Sequence, residues 1–249
     1  ILQVKTILVS QPEPKSDASP YHELAKKQKV SVDFRPFIHV EGVDGAEVRQ
    51  QKVSLTDHTA VILTSRNAVD HYFRVCEEMR FEVPTAMKYF CMSEAIAFYL
   101  QKYITYRKRK IYFGKQRFAD LIDTIKKHKT EKFLLPSSDL LKPVIPQLLE
   151  DNKINYSRAI LYKTVCSDLS DLEDVYYDIL VFFSPSGIKS LFQNFPDFKQ
   201  KDTRIAAFGQ TTVKAVTDAG LKVNIEAPSV KAPSMTMALE QYIKDANKK

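Results

Sequence analysis

The chain has 249 residues, 44% hydrophobic and 27% charged, a globular composition long enough for one large domain or two small ones. No apolar run reaches the ~18–20 residues of a membrane-crossing helix, and six glycines leave neither a GxGxxG nor a GxxxxGK[ST] fingerprint, which disfavours Rossmann dinucleotide binding and P-loop chemistry. The net charge of +7 favours an anionic partner, while three cysteines without a CxxC predict free, buried thiols rather than disulfides or zinc.

Strand and helix patterns alternate along the chain. An apolar run at 6–10 predicts a first strand, followed by a helix over 19–28 and an extended segment over 30–41. Strands at 60–64, 88–92, 110–113 and 132–136 alternate with helices at 66–79, 93–103, 116–128 and 139–151. A long extended segment, 155–165, precedes strands at 178–184, 203–208 and 221–225 and helices at 186–194, 210–219 and 232–246. Strand–helix alternation implies a mostly parallel sheet with helices on both faces. Short continuous apolar runs such as "DILVFF" fit strands buried on both sides.

Ten strands are too many for one comfortable open sheet of this length, so two five-stranded units are expected. The predicted fold is α/β, with two doubly wound, flavodoxin-like parallel-sheet domains, the second inserted in the first. Domain 1 takes residues 1–38 plus 168–249, domain 2 takes 50–157, and the linker strands take 39–49 and 158–167, where two antiparallel ribbons would make a hinge.

The same turn recurs at strand ends. "VILTSRNAVDHYF" (61–73) and "VFFSPSGIKSLF" (181–192) each run apolar, then hydroxyl-rich, then helical. Similar turns carry Ser93, the pair Ser137 and Ser138, and Gln210 with Thr211 and Thr212. Helix capping alone explains such residues, since a hydroxyl there accepts from a free amide and stabilises by ~1 kcal/mol. Ligand contact is the other reading, because open α/β sheets bind ligands beyond the carboxyl ends of their strands. Helix N-termini there also suit carboxylates and phosphates. The residues expected at such a site are Thr64, Ser65, Arg66, Asn67, Ser93, Ser137, Ser138, Ser184, Ser186, Gly187, Gln210, Thr211 and Thr212. No nucleophile elbow, paired carboxylates or metal-ligand spacing occurs, and the five histidines neither pair at i, i+4 nor neighbour a cysteine. The basic run "YRKRK" (106–110) reads as a solvated loop leading into a strand; a nucleic-acid stripe would interleave aromatics on one face.

These motifs resemble the uroporphyrinogen-III synthase family. "ILTSRNAV" (62–69), "ILYKTV" (160–165), "VFFSPSGIKSLF" (181–192), "AAFGQTTVKAVTDAGLKV" (206–223) and "EAPSVKAPSMTMALEQYI" (226–243) carry the likeness in order and spacing. The resemblance implies two α/β domains joined by a two-stranded β-ladder. It implies an enzyme, a hydro-lyase, that cyclises hydroxymethylbilane with loss of water and inversion of the last ring, giving uroporphyrinogen III, mainly by positioning the substrate in an inter-domain cleft. It also implies no cofactor and no metal. Tyr162 matches the family's linker-strand tyrosine, whose phenol could donate to the departing hydroxyl; by itself a tyrosine in an apolar strand reads as core packing. Two turns depart from the family pattern: Gln11 stands where an arginine is common, and "CMSEAIA" puts Met92 and Ala95 in a Gly-x-x-Thr turn, with Ser93 and Glu94 as partial substitutes. A cytoplasmic monomer with no nucleic-acid or membrane partner is expected. The alternative is a non-catalytic two-domain binding protein for a small anion.

Overall fold

The structure, a computed structural model, describes residues 2–248. In chain order the elements are β1 (Thr6–Val9), α1 (Pro20–Gln28), β2 (Ser31–Phe34), β3 (Ile38–Gly42), α2 (Gly45–Gln50), β4 (Ala60–Leu63), α3 (Arg66–Glu78) and β5 (Lys88–Cys91). Then come α4 (Glu94–Tyr99), β6 (Ile111–Phe113), α5 (Phe118–Lys126), β7 (Phe133–Ser138), α6 (Val144–Asp151) and β8 (Tyr156–Cys166). The chain ends with β9 (Ile179–Phe182), α7 (Pro185–Asn194), β10 (Arg204–Phe208), α8 (Gln210–Asp218), β11 (Val223–Ala227) and α9 (Met235–Ala246).

These elements form two compact units. One comprises the chain up to His39 and from Val165 onward; the other is Val40–Thr164. The chain crosses between them inside β3 and again inside β8, which are sheet neighbours. Their pairing is antiparallel: the Val43 amide donates to the Leu161 carbonyl and the Ser167 amide to that of Phe37, both at 2.9 Å.

The first unit's sheet runs β11-β10-β9-β1-β2, with every neighbouring pair parallel. Counted by appearance within the unit this is the order 2-1-3-4-5, whose direction of winding reverses between β1 and β9. The second sheet runs β3-β8-β7-β4-β5-β6, parallel from β8 to β6. Leaving out β3, its order is 3-2-1-4-5 and the reversal falls between β4 and β7.

Side-chain alternation explains why both sheets are covered on both faces. All four residues of β4 are buried: Val61 and Leu63 join the cluster containing Val69 and Tyr72 of α3, while Ala60 and Ile62 join that containing Leu121 of α5 and Leu149 of α6. In the first unit, Ile7 and Val9 pack with Leu239 and Ile243 of α9, and Leu8 packs with Phe182 and Ile188 on the other face.

The structure differs from the sequence reading in particular places. The segment 30–41 is two strands, because Pro36 has no amide to donate between them and Arg35 is turned aside, donating to both carboxylate oxygens of Asp171 at 2.7 Å. The expected linker strand at 39–49 ends at Gly42, and Asp44 caps the short helix α2 by accepting from the Glu47 amide at 2.8 Å. The second sheet has six strands because β3 adds to its edge. The helix expected from 139 begins at Val144, since β7 extends through both serines.

Tyr72 is fully buried in α3, and among the described residues its hydroxyl meets only the thiol of Cys76, a weak partner. A buried hydroxyl left unpaired costs about 1–3 kcal/mol, and a thiol offsets only part of that. Tyr72→Phe is therefore expected to raise stability by about 1 kcal/mol, read as a higher urea midpoint at unchanged m-value; a lower midpoint would show that the hydroxyl has a stabilising role.

Candidate functional site

In parallel sheets the winding reversal leaves a crevice at the strand carboxyl ends. In the second unit the residues there are Thr64 and Ser65, following β4, and Ser137 and Ser138, ending β7. Ser65 caps α3, its Oγ accepting from the Ala68 amide at 3.0 Å. The same Oγ lies 3.2 Å from the hydroxyl of Tyr162. Tyr162 stands on β8 in register with Ser138 and is 7% exposed.

The Tyr162 ring stacks on the imidazole of His71, with centroids 5.0 Å apart and planes 17° from parallel. One turn further along α3, Arg74 donates from Nε to His71 Nδ1 at 3.0 Å. Its Nη2 donates to the carbonyls of Val43 and Leu161 at 2.8 and 2.9 Å, and its Nη1 to Glu78 at 2.7 Å. Because Nδ1 accepts, neutral His71 carries its proton on Nε2. Burial, then the adjacent Arg74 charge, hold the imidazole below its ordinary value, against the pull of Asp70 and Glu78. Burial pushes the Tyr162 phenol up, only partly opposed by its bond to Ser65. At neutral pH the stacked pair is uncharged and can donate protons.

A histidine whose folded pKa lies below its unfolded value binds fewer protons folded than unfolded in the interval between the two. Its contribution is fully present above the unfolded value of ~6.5 and is lost as pH falls through that interval. His58 is depressed in the same direction, by burial. Melting temperature should therefore decline as pH drops below about 6.5, and His71→Gln should flatten part of that decline. An unchanged slope in the variant would remove His71 as a contributor.

The remaining expected residues of this unit have definite places. Ser137 is 1% exposed; its hydroxyl donates to the Ser138 carbonyl at 3.0 Å and accepts from Arg158 Nε at 2.8 Å. Arg158 also donates to the Ser138 carbonyl at 2.9 Å, so these residues brace the end of β7. Ser138 Oγ accepts from the Leu140 amide at 2.8 Å. Ser93 follows β5 and caps α4, accepting from the Ile96 amide at 3.4 Å. Thr64 is half-buried and Asn67 exposed, and the Arg66 guanidinium lies over the Tyr99 ring, 5.2 Å from its centroid. Tyr99, Tyr103 and Lys102 all donate to Asp70; despite partial burial, these bonds hold its carboxyl below the usual range.

In the first unit, Ser184 caps α7 by accepting from the Gly187 amide at 3.3 Å. Ser186 is half-buried, and Gly187 is buried where a Cβ would come within 3.2 Å of the Phe182 ring, so glycine lets α7 seat on β9. One strand over, α8 has no side-chain cap. It starts after Gly209, whose φ of 84° suits glycine. Gln210 and Thr211 are exposed, whereas Thr212 is 1% exposed with an unpartnered Oγ1. Free amides at that helix start leave an anion-favouring terminus.

The structure thus brings Thr64, Ser65, Ser138 and Tyr162 to one edge of the second sheet, and Ser184 with the start of α8 to one edge of the first. His71, Arg74 and Arg158 are additions. The only signal for the first two was their i, i+3 spacing on α3, and for Arg158 a lone cation within an apolar strand. Among the described residues no cluster could hold a metal ion and no helix is long and apolar enough to cross a membrane.

Two α/β units with parallel sheets, one inserted in the other along the chain and each with hydroxyls at its strand ends, define a class of two-domain α/β proteins. This chain belongs to the uroporphyrinogen-III synthase family: the family model described as uroporphyrinogen-III synthase HemD matches residues 19–237. The uroporphyrinogen-III synthase of Chlorobaculum parvum is 24% identical over 255 residues, spanning 97% of this chain and 100% of that one. That of Saccharomyces cerevisiae is 27% identical over 139 residues, so the match spans about half of each protein, 49% of this chain and 50% of the yeast one. The crystal structure of uroporphyrinogen-III synthetase from Helicobacter pylori superimposes with a TM-score of 0.63 at 16% identity, covering 97% of this chain and 99% of that one, a likeness of fold.

Proposed function

We propose that this chain is a uroporphyrinogen-III synthase, which closes hydroxymethylbilane to uroporphyrinogen III with loss of water and inversion of the terminal ring. The observation that carries the reading is the Ser65–Tyr162 pair, uncharged hydroxyls 3.2 Å apart at the carboxyl edge of a parallel sheet, in a chain of this family. The pyrrole nitrogen can itself expel the hydroxyl, leaving an electrophilic azafulvene, so the enzyme needs one well-placed proton donor and firm positioning rather than a nucleophile. Tyr162 is the donor to the departing oxygen, and Ser65, whose hydroxyl can donate to the phenol oxygen, orients it and leaves the phenol proton free.

The substrate's acetates and propionates are held in each unit by helix starts and hydroxyls. Ser93 and Ser184 give acceptor lone pairs to their own helices, yet each hydroxyl keeps its proton to donate. Thr64, Ser138, Ser186 and Thr211 add hydroxyls, Arg66 adds charge, and the uncapped start of α8 at Gln210 and Thr211 adds backbone amides. Dipole contacts of ~0.3–1 kcal/mol and charge-assisted hydrogen bonds of ~1.5–3 kcal/mol supply, over several grips, the ~8 kcal/mol of micromolar binding. The +7 net charge speeds encounter with so anionic a substrate. In this reading the protein works as a cytoplasmic monomer.

The test supplies freshly generated hydroxymethylbilane and resolves the isomers chromatographically. Predominant isomer III is expected. Isomer I at the uncatalysed rate, with tight binding of the linear tetrapyrrole, would favour a non-catalytic binding protein instead.

A further inference from the structure

The second unit has a cavity of about 210 Å3 at the amino ends of β5 and β6, beside Met87, Tyr89, Lys110 and Ile111. Both strands are parallel to β4, so this is the end of the sheet away from Ser65 and Ser93. The cavity is therefore distinct from the hydroxyl turns.

Its construction is amphipathic. Val83, Pro84, Met87, Ile104 and Ile111 make an apolar wall. Tyr89 lines it too; the residue is 3% exposed, and its hydroxyl has no hydrogen-bond partner among the described residues. Tyr72 has its hydroxyl sealed in the core, whereas Tyr89 borders open space. Burial pushes the Tyr89 phenol up, so it stays a neutral donor. Arg107 and Lys110, from the basic run at 106–110, line the same cavity, with the hydroxyls of Thr85 and Thr105. No carboxylate lines it, and neither cation is in an ion pair among the described residues.

An apolar wall with an orphan phenol and two unpaired cations is complementary to a molecule with an apolar body and an anionic end. The volume is below the ~300–1,000 Å3 of sites for drug-sized ligands, which suits a body of one or two fused rings. We propose that this cavity is a second ligand site, separate from the hydroxyl turns, that takes a small aromatic carboxylate. Its ring lies against Met87, Ile104 and Ile111, and its carboxylate is held by Arg107 and Lys110 and reached by the Tyr89 hydroxyl.

The test titrates 1-naphthoate into the full-length protein and follows naphthyl fluorescence, which no tryptophan masks since the chain has none. Saturable one-to-one binding is expected, with a dissociation constant of about 0.1–1 mM. Arg107→Ala with Lys110→Ala should weaken it by about tenfold or more, the loss of two charge-assisted contacts that water partly replaces. Ile104→Phe, which narrows the cavity without adding a tryptophan, should abolish it with the circular dichroism spectrum unchanged. Uncharged 1-naphthamide should bind more weakly and ignore the double substitution, and Tyr162→Phe should leave naphthoate affinity as it is. Absence of saturable binding, or affinity indifferent to both the charge removal and the narrowed cavity, overturns the proposal.

Discussion

Tyr162→Phe is expected to lower the turnover of hydroxymethylbilane about 100-fold, the scale of a general acid's contribution, while melting temperature moves by no more than a few degrees. The two effects separate because the hydroxyl and the ring do different work. The ring is buried and stacks on His71, and phenylalanine keeps both features. The hydroxyl makes a single bond, to Ser65, whose net worth to stability is about 0.5–1.5 kcal/mol. If expulsion of the substrate hydroxyl needs a donor, the loss falls on kcat, with KM little changed. Ser65→Ala supplies the contrast: it removes the cap of α3, costing about 1 kcal/mol of stability, and frees the phenol to rotate. Wild-type turnover and pure isomer III from Tyr162→Phe would reduce Tyr162 to core packing. The pH profile is a second check. Burial raises the phenol's pKa, so the donor should persist past the ordinary tyrosine value of ~10, and an alkaline limb that sets in well below it would belong to another group.

How much of this arrangement was legible from residues alone depends on how far apart the interacting groups lie in the chain. The buried strands β4 and β9 were plain, since four consecutive apolar residues between polar turns have few other uses. The caps at Ser65, Ser93 and Ser184 were equally plain, because the amide each accepts from is three residues away. The break between β2 and β3 was missed: Arg35 is held aside by Asp171, 136 residues distant. Helix α2 was missed because six residues have little helical preference of their own; it is held by burial of Val48 and the cap from Asp44. The same limit applies to function. Ser137 looked like its neighbour Ser138, yet the register of β7 on β8 hands its hydroxyl to Arg158. The Tyr162–His71–Arg74 stack joins β8 to α3 across some ninety positions, and no local pattern encodes it.

Arg74→Met should cost about 2 kcal/mol of stability, the lower part of the range for hydrogen bonds to a charged group. That corresponds to a fall of about 4–8 °C in melting temperature for a chain of this size. Methionine keeps the apolar stem and removes every donor. The Arg74 side chain is 30% exposed, so water recovers part of the loss, but its Nη2 joins α3 to the carbonyls of Val43 and Leu161, just where β3 and β8 pair. Without it, those carbonyls lose a charged donor and His71 loses the bond that fixes its tautomer. Turnover should therefore fall as well, through disorder in the Tyr162 stack, by less than in Tyr162→Phe. Arg74→Lys should recover little, because one ammonium cannot reproduce the planar fork. Gly42→Ala tests the same clamp from the other side: a Cβ there would sit 2.9 Å from Arg74 Cζ, so the guanidinium must leave its carbonyls to make room. Both variants should lose stability together and fail to add when combined, since they break one interaction. Additive losses would mean that Gly42 acts through its own backbone and that Arg74 is not the clamp on the ladder.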